Sequence, residues 1–185
     1  MLVFFTIGHS RHALEAFVGL LRSAGATAVV DVRTVPRSRA NPQFNRDALP
    51  QALAGQGIGY EHIAQLGGLR SRSKALSSDV NAFWENASFH NYADYAMSEP
   101  FAEGLARLRD IGRAAPCAIM CAEALWWRCH RRIIADYLIA SGEQVSHIMS
   151  DGKLVPAKIT AGARVASGPL VTYPSTDDKT ARMRS

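Results

Sequence analysis

Three runs, Leu2–Ile7, Ala26–Val32 and Cys117–Cys121, are almost wholly apolar. This constrains the fold more than any other feature. A half-exposed strand alternates apolar and polar residues. A strand apolar on both faces must be covered on both sides, as in a parallel sheet between two helical layers. Ile58–Ile63 and Gln144–Met149 are two further short runs of strand type.

Helical patterns separate these runs. Ser10 is placed to cap a helix reaching Ala24, with Leu14, Phe17, Val18 and Leu21 on one face and Gly25 as its stop. Asp47–Ala54 reads as a short helix ending at Gly55. Ser98-Glu99-Pro100 opens another that carries Phe101, Leu105 and Leu108. The stretch from Arg128 to Ala140 is helical up to Ser141-Gly142. The alternation predicts an α/β fold: a three-layer sandwich around a mainly parallel sheet, Rossmann-like or flavodoxin-like, with about five core strands. Residues 1–150 are expected to form a single domain. The polar stretch 64–91 is its candidate lid. Residues 151–185 are expected to be a C-terminal extension packed on that domain, with a disordered end.

Composition narrows the classes. With 48% hydrophobic and 20% charged residues, the 185-residue chain is neither disordered nor short of a core. No apolar run approaches the roughly 18 residues of a membrane span. The apolar opening has no basic residue ahead of it and is broken at Gly8, unlike a secretion signal. The expectation is a cytoplasmic protein with no membrane partner. The net charge of +5, mostly Arg surplus, favours a small anionic ligand, a nucleotide or nucleic acid among them. Three Cys without a secretion signal argue against a disulfide framework.

In a parallel sheet the chain positions just after the strands share one rim, where ligands bind. The unusual residues fall there. Gly8-His9-Ser10 before a helix suits an anion cradle, or simply a capped turn. Asp31 and Arg33, two apart, share a face. They suit an acid/base carboxylate beside an anion clamp, or a structural salt bridge. Arg37 and Arg39 extend the clamp, since a planar guanidinium grips two oxygens at once. Glu123 follows an apolar strand, where a carboxylate serves as acid, base or nucleophile. Cys129 and His130 open a helix, whose dipole favours a thiolate. Cys121, Cys129 and His130 are weak candidates for a metal site, because their spacing is no zinc signature. Tyr60 and Trp126 with Trp127 are placed to wall a pocket or to plug the core. No P-loop lysine motif, GxGxxG, HExxH or GxSxG is present, and the cofactor stays unknown at this point.

Taken together, Thr6-Ile7-Gly8-His9-Ser10, Val30-Asp31-Val32-Arg33 with Pro36-Arg37-Ser38-Arg39, Leu66-Gly67-Gly68, Cys121-Ala122-Glu123 and Cys129-His130-Arg131 resemble the signature of the bacterial and archaeal family called domain of unknown function 488. The resemblance runs from about residue 2 to residue 173, and Thr160–Arg164 and Thr172-Tyr173-Pro174 also fit it. It implies an α/β fold and gives weight to the rim residues, without implying a reaction.

The residues themselves lead to an enzyme acting on a phosphate-bearing substrate by hydrolysis or glycosyl transfer. Glu123 and Asp31 are the candidate catalytic carboxylates, with His130 and His9 as proton carriers. Gly8, Ser10, Arg33, Arg39 and Arg131 are the candidate anion ligands, with Tyr60 and Trp126 as walls. The alternatives are a non-catalytic nucleotide- or nucleic-acid-binding module and a thiol or metal site.

Overall fold

The computed structural model describes residues 1–166, 168 and 170–175. Strands β1 (Val3–Gly8), β2 (Ala28–Asp31), β3 (Gly59–His62), β4 (Cys117–Cys121) and β5 (Gln144–Ile148) are all parallel, and β6 (Leu154–Pro156) runs antiparallel beside β5. The order across the sheet is β3-β2-β4-β1-β5-β6. The class is the expected three-layer α/β sandwich. The order is its own, since β4 lies between β1 and β2, unlike either common doubly wound arrangement.

Strand alternation sends successive side chains to opposite faces. Phe5, Ile7, Val29, Ala118 and Met120 therefore meet α1 (Leu14–Ala24) and α2 (Leu49–Ala54), which bury Phe17, Leu21, Leu49 and Leu53. Phe4, Val30, Ile119 and Val145 face the other layer, α3 (Ala87–Tyr95), α4 (Glu99–Ala114) and α5 (Arg131–Ala140). A continuous apolar strand is thus two buried stripes, one for each helical layer.

Several boundaries differ from expectation for local reasons. Ser10 does not cap α1. It takes a positive φ of 46° in a turn, and the helix begins at Leu14 after Ala13. Gly25 does stop it, in the left-handed conformation. Residues 126–128 form a separate 3₁₀ turn, so α5 begins only at Arg131. The polar stretch holds an unexpected helix, α3, whose Asn86 side chain accepts hydrogen bonds from the backbone N–H groups of Ser88 and Phe89.

Beyond residue 150, β6 lies on the sheet edge, and β7 (Arg164–Val165) pairs with β8 (Val171–Thr172). Tyr173 is fully buried, and its hydroxyl donates to Asp136 Oδ2 at 2.9 Å. Of the end expected to be disordered, residues 176–185 lie outside the described residues. Among the described residues no helix is long and apolar enough to cross a membrane.

Candidate functional site

Parallel pairing sets the strand ends level. Gly8 is in register with Cys121, and Asp31 with both Met120 and His62. The chain segments that leave these ends enclose a cavity of about 390 Å³. His9, Arg33, Arg37, Cys121, Glu123, Arg128, Cys129 and His130 line it, together with Gly68, Leu69, Ser88 and Phe89 from the stretch expected to be a lid.

Cys129 lies at this cavity and is 4% exposed. The Nε of Arg131 donates to its Sγ at 3.2 Å, and Nδ1 of His130 lies 3.6 Å from the same sulfur. Arg131 is 1% exposed. Its other hydrogen bond goes to the backbone oxygen of Glu123, and among the described residues no carboxylate pairs with it. A guanidinium does not shed its proton, and a buried one without a counter-ion is costly. Of its hydrogen-bond partners, the Cys129 sulfur is the one that can ionise. The Cys129 thiol is held well below its ordinary ionisation range, first by a hydrogen bond from Cys121, then, against burial, by the charges of Arg131 and His130. Cys121 is pushed the other way by the same hydrogen bond and by burial. The two thiols are thus pushed in opposite directions, Cys129 toward the thiolate and Cys121 toward the thiol.

His130 is oriented from its far side. Its Nε2 meets the carbonyl of Val32 at 2.9 Å, and a carbonyl only accepts, so Nε2 carries a proton and Nδ1 points toward sulfur. The ring packs edge-on against Tyr92 and lies on Gly68, where an added Cβ would fall 2.5 Å from Nδ1. Gly68 is thus a close-approach surface for the imidazole, whereas a Cβ on Gly67 would meet Thr34.

Asp31 and Arg33 form the second cluster, and they form a salt bridge. Nε of Arg33 donates to Oδ1 at 2.9 Å, Nη2 donates to Oδ2 at 2.5 Å, and the hydroxyl of Tyr60 donates to Oδ2 at 2.8 Å. Nη2 also reaches the carbonyl of Phe44 at 2.7 Å. Asp31 is fully buried and does not line the cavity. Nη1 of Arg33 meets Nε2 of His9 at 3.2 Å, so Nε2 accepts and Nδ1 donates to the carbonyl of Ser10. His9 stacks on Phe44, and burial lowers its pKa to about 4. It is a neutral wall of the cavity.

The remaining expected ligands are placed as follows. The backbone N–H groups of His9 and Ser10 donate to the carbonyls of Cys121 and Ala122, so they are spent on the β4 segment. Gly8 is required by close approach, since a Cβ there would meet the backbone of Glu123 at 2.1 Å. Glu123 accepts the backbone N–H of Leu125 at 3.0 Å and is the one carboxylate among the described lining residues. Arg39 is exposed and stands apart from the lining. Trp126 stacks on His147 at 4.1 Å, also away from it. Arg37 and Arg128 are exposed at the cavity, and among the described residues their side chains have no hydrogen bond or ion pair. Nothing in the sequence singled out Arg128 over its neighbours.

The donor atoms of Cys121, Cys129 and His130 lie within 4.8 Å of one another. The Nε of Arg131, donating to Cys129 Sγ, already places a positive charge beside this cluster, which any cation would have to approach.

A model of the family described as Domain of unknown function DUF488 matches residues 13–138. The chain belongs to that family. No curated protein matches it, and no solved structure does. The DUF488 match covers Asp31, Arg33, Gly67-Gly68, Cys121 to Glu123 and Cys129 to Arg131. Gly8-His9-Ser10 and the segment around Tyr173 lie outside the matched span. The cavity of this DUF488 chain is therefore built mainly, but not wholly, from the matched region.

Proposed function

We propose that the protein is an enzyme in which the Cys129 thiolate attacks the phosphorus of a phosphate ester bound at the rim cavity. The observation that carries this is the contact between the Cys129 sulfur and a buried guanidinium, Arg131, with which no carboxylate pairs among the described residues. A thiolate kept ionised at neutral pH and placed at a cavity is an activated nucleophile. Arg37 and Arg128 supply unengaged guanidinium groups for the substrate phosphate.

In the first step the sulfur forms a bond to phosphorus as the P–O bond to the leaving group breaks. The departing oxygen takes a proton from the Glu123 carboxyl. In the second step water attacks phosphorus, the S–P bond breaks, Glu123 recovers a proton from that water, and inorganic phosphate leaves with the thiolate restored. His130 and Arg131 position and stabilise the sulfur. Asp31 and Tyr60 hold Arg33, and Arg33 in turn fixes the neutral His9.

The test uses p-nitrophenyl phosphate as the probe. Hydrolysis that falls by at least about 1000-fold in Cys129→Ser, with phosphate found on Cys129 after rapid quenching, is the expected result. Equal turnover by the variant overturns the assignment. Binding of nucleic acid that weakens steeply with salt, with no turnover, points instead to a binding module.

A further inference from the structure

We propose that Cys129 and Cys121 form a hydroperoxide-reactive dithiol, in which Cys129 is oxidised first and Cys121 resolves it to an intramolecular disulfide. This rests on Cys129 being the nucleophile of the preceding section, with Arg131 in contact with its sulfur, but not on the phosphate ester. Both cysteines line the cavity, and their sulfurs lie within 4.8 Å of each other. A disulfide needs about 2.05 Å, so forming it requires the two sulfurs to approach each other. The geometry also separates the two roles. Arg131 and His130 contact Cys129, whereas Cys121 stands opposite it at the end of β4. Cys117, at the other end of β4, is fully buried in the core, and burial pushes its thiol up to about 12. It is a built-in unreactive control.

The chemistry balances with a hydroperoxide as the oxidant. The Cys129 thiolate attacks the outer oxygen, the O–O bond breaks, and the departing oxygen takes a proton from water to leave as an alcohol, or as water from hydrogen peroxide. The resulting sulfenic acid condenses with the Cys121 thiol, forming the S–S bond and releasing water. Two electrons pass from the dithiol to the peroxide. Oxidation also removes the negative charge that compensates Arg131. The oxidised site therefore has no nucleophile and holds a buried cation without its counter-ion, a state that a small dithiol reductant reverses.

The experiment treats the intact, reduced chain with hydrogen peroxide and follows it by mass spectrometry with non-reducing peptide mapping. The expected product has lost the two thiol hydrogens, carries a Cys121–Cys129 link, and returns to the starting mass with dithiothreitol. Cys129 is expected to react at least about 100-fold faster than Cys117. In Cys121→Ala the reaction is expected to stop at a sulfenic acid on Cys129 that dimedone captures. Absence of the link in the wild-type chain overturns the proposal. So does a Cys117 that reacts as fast as Cys129, or a stoichiometric zinc ion that blocks oxidation. Because no phosphate ester is present, a dithiol that oxidises as described beside a failed p-nitrophenyl phosphate assay refutes the substrate alone. A Cys129 that is inert to peroxide refutes the shared nucleophile.

Discussion

Replacing Arg131 with Met keeps most of the stem volume and removes the charge. In the structure the guanidinium Nε is 3.2 Å from Cys129 Sγ. With its charge spread over the group, the effective separation is about 4 Å, where an effective dielectric of about 20 gives an attraction of about 4 kcal/mol. At about 1.4 kcal/mol per pH unit, this moves the Cys129 ionisation midpoint upward by about 3 pH units in Arg131→Met. The assay is alkylation of Cys129 by iodoacetamide as a function of pH, located by mass spectrometry so that Cys117 and Cys121 do not contribute. The midpoint of the profile is the quantity to compare, because intrinsic nucleophilicity falls as a thiol becomes more acidic and blurs rates taken at one pH. A midpoint that moves by less than about 1 unit refutes the claim that Arg131 is the counter-ion of the thiolate.

Two further outcomes follow from the buried polar groups. Asp31→Asn leaves Arg33 buried without its counter-ion and is expected to cost about 3–5 kcal/mol in urea unfolding; a change within about 0.5 kcal/mol would show that the salt bridge does not hold the rim. His9 and His147 are both buried and neutral, with pKa values lowered to about 4 from 6.5, chiefly by burial. The unfolded chain binds their protons below about pH 6.5, whereas the folded chain does so only near pH 4. Stability is therefore expected to fall as pH drops through that window. His147→Gln should show a shallower slope in the pH dependence of its Tm, and an unchanged slope would contradict this.

The layered fold was legible because doubly covered strands leave an unmistakable mark. Cys117–Cys121 can be read from its apolar character alone, and its bounds as a strand are the expected ones. The strand order was not legible, because nothing local to β4 says that it inserts between β1 and β2. Helix α3 was hidden for a similar reason. Its stabilising contacts, such as Tyr92 packed on His130 and hydrogen-bonded to the carbonyl of Leu66, come from distant parts of the chain. The rim was legible as a place, since strand ends must converge in a parallel sheet. The pairings at the rim were less so. Spacing alone allowed Asp31 and Arg33 to be either a salt bridge or catalytic groups, and the three-dimensional arrangement shows the salt bridge. Arg131 reads in sequence as one more anion ligand among many Arg residues. Only its burial and its contact with sulfur distinguish it. Trp126 suited a ligand wall by residue type, but the separate 3₁₀ turn places it on His147 instead.

Both proposed reactions require Cys129 to be ionised at neutral pH. This is tested most directly by the ultraviolet absorbance of the thiolate, titrated in the wild-type chain and corrected by the Cys129→Ser variant. The expected result is a difference signal already complete at pH 7, with its midpoint well below the ordinary thiol value of about 8.5. A signal that appears only at or above that value would contradict it.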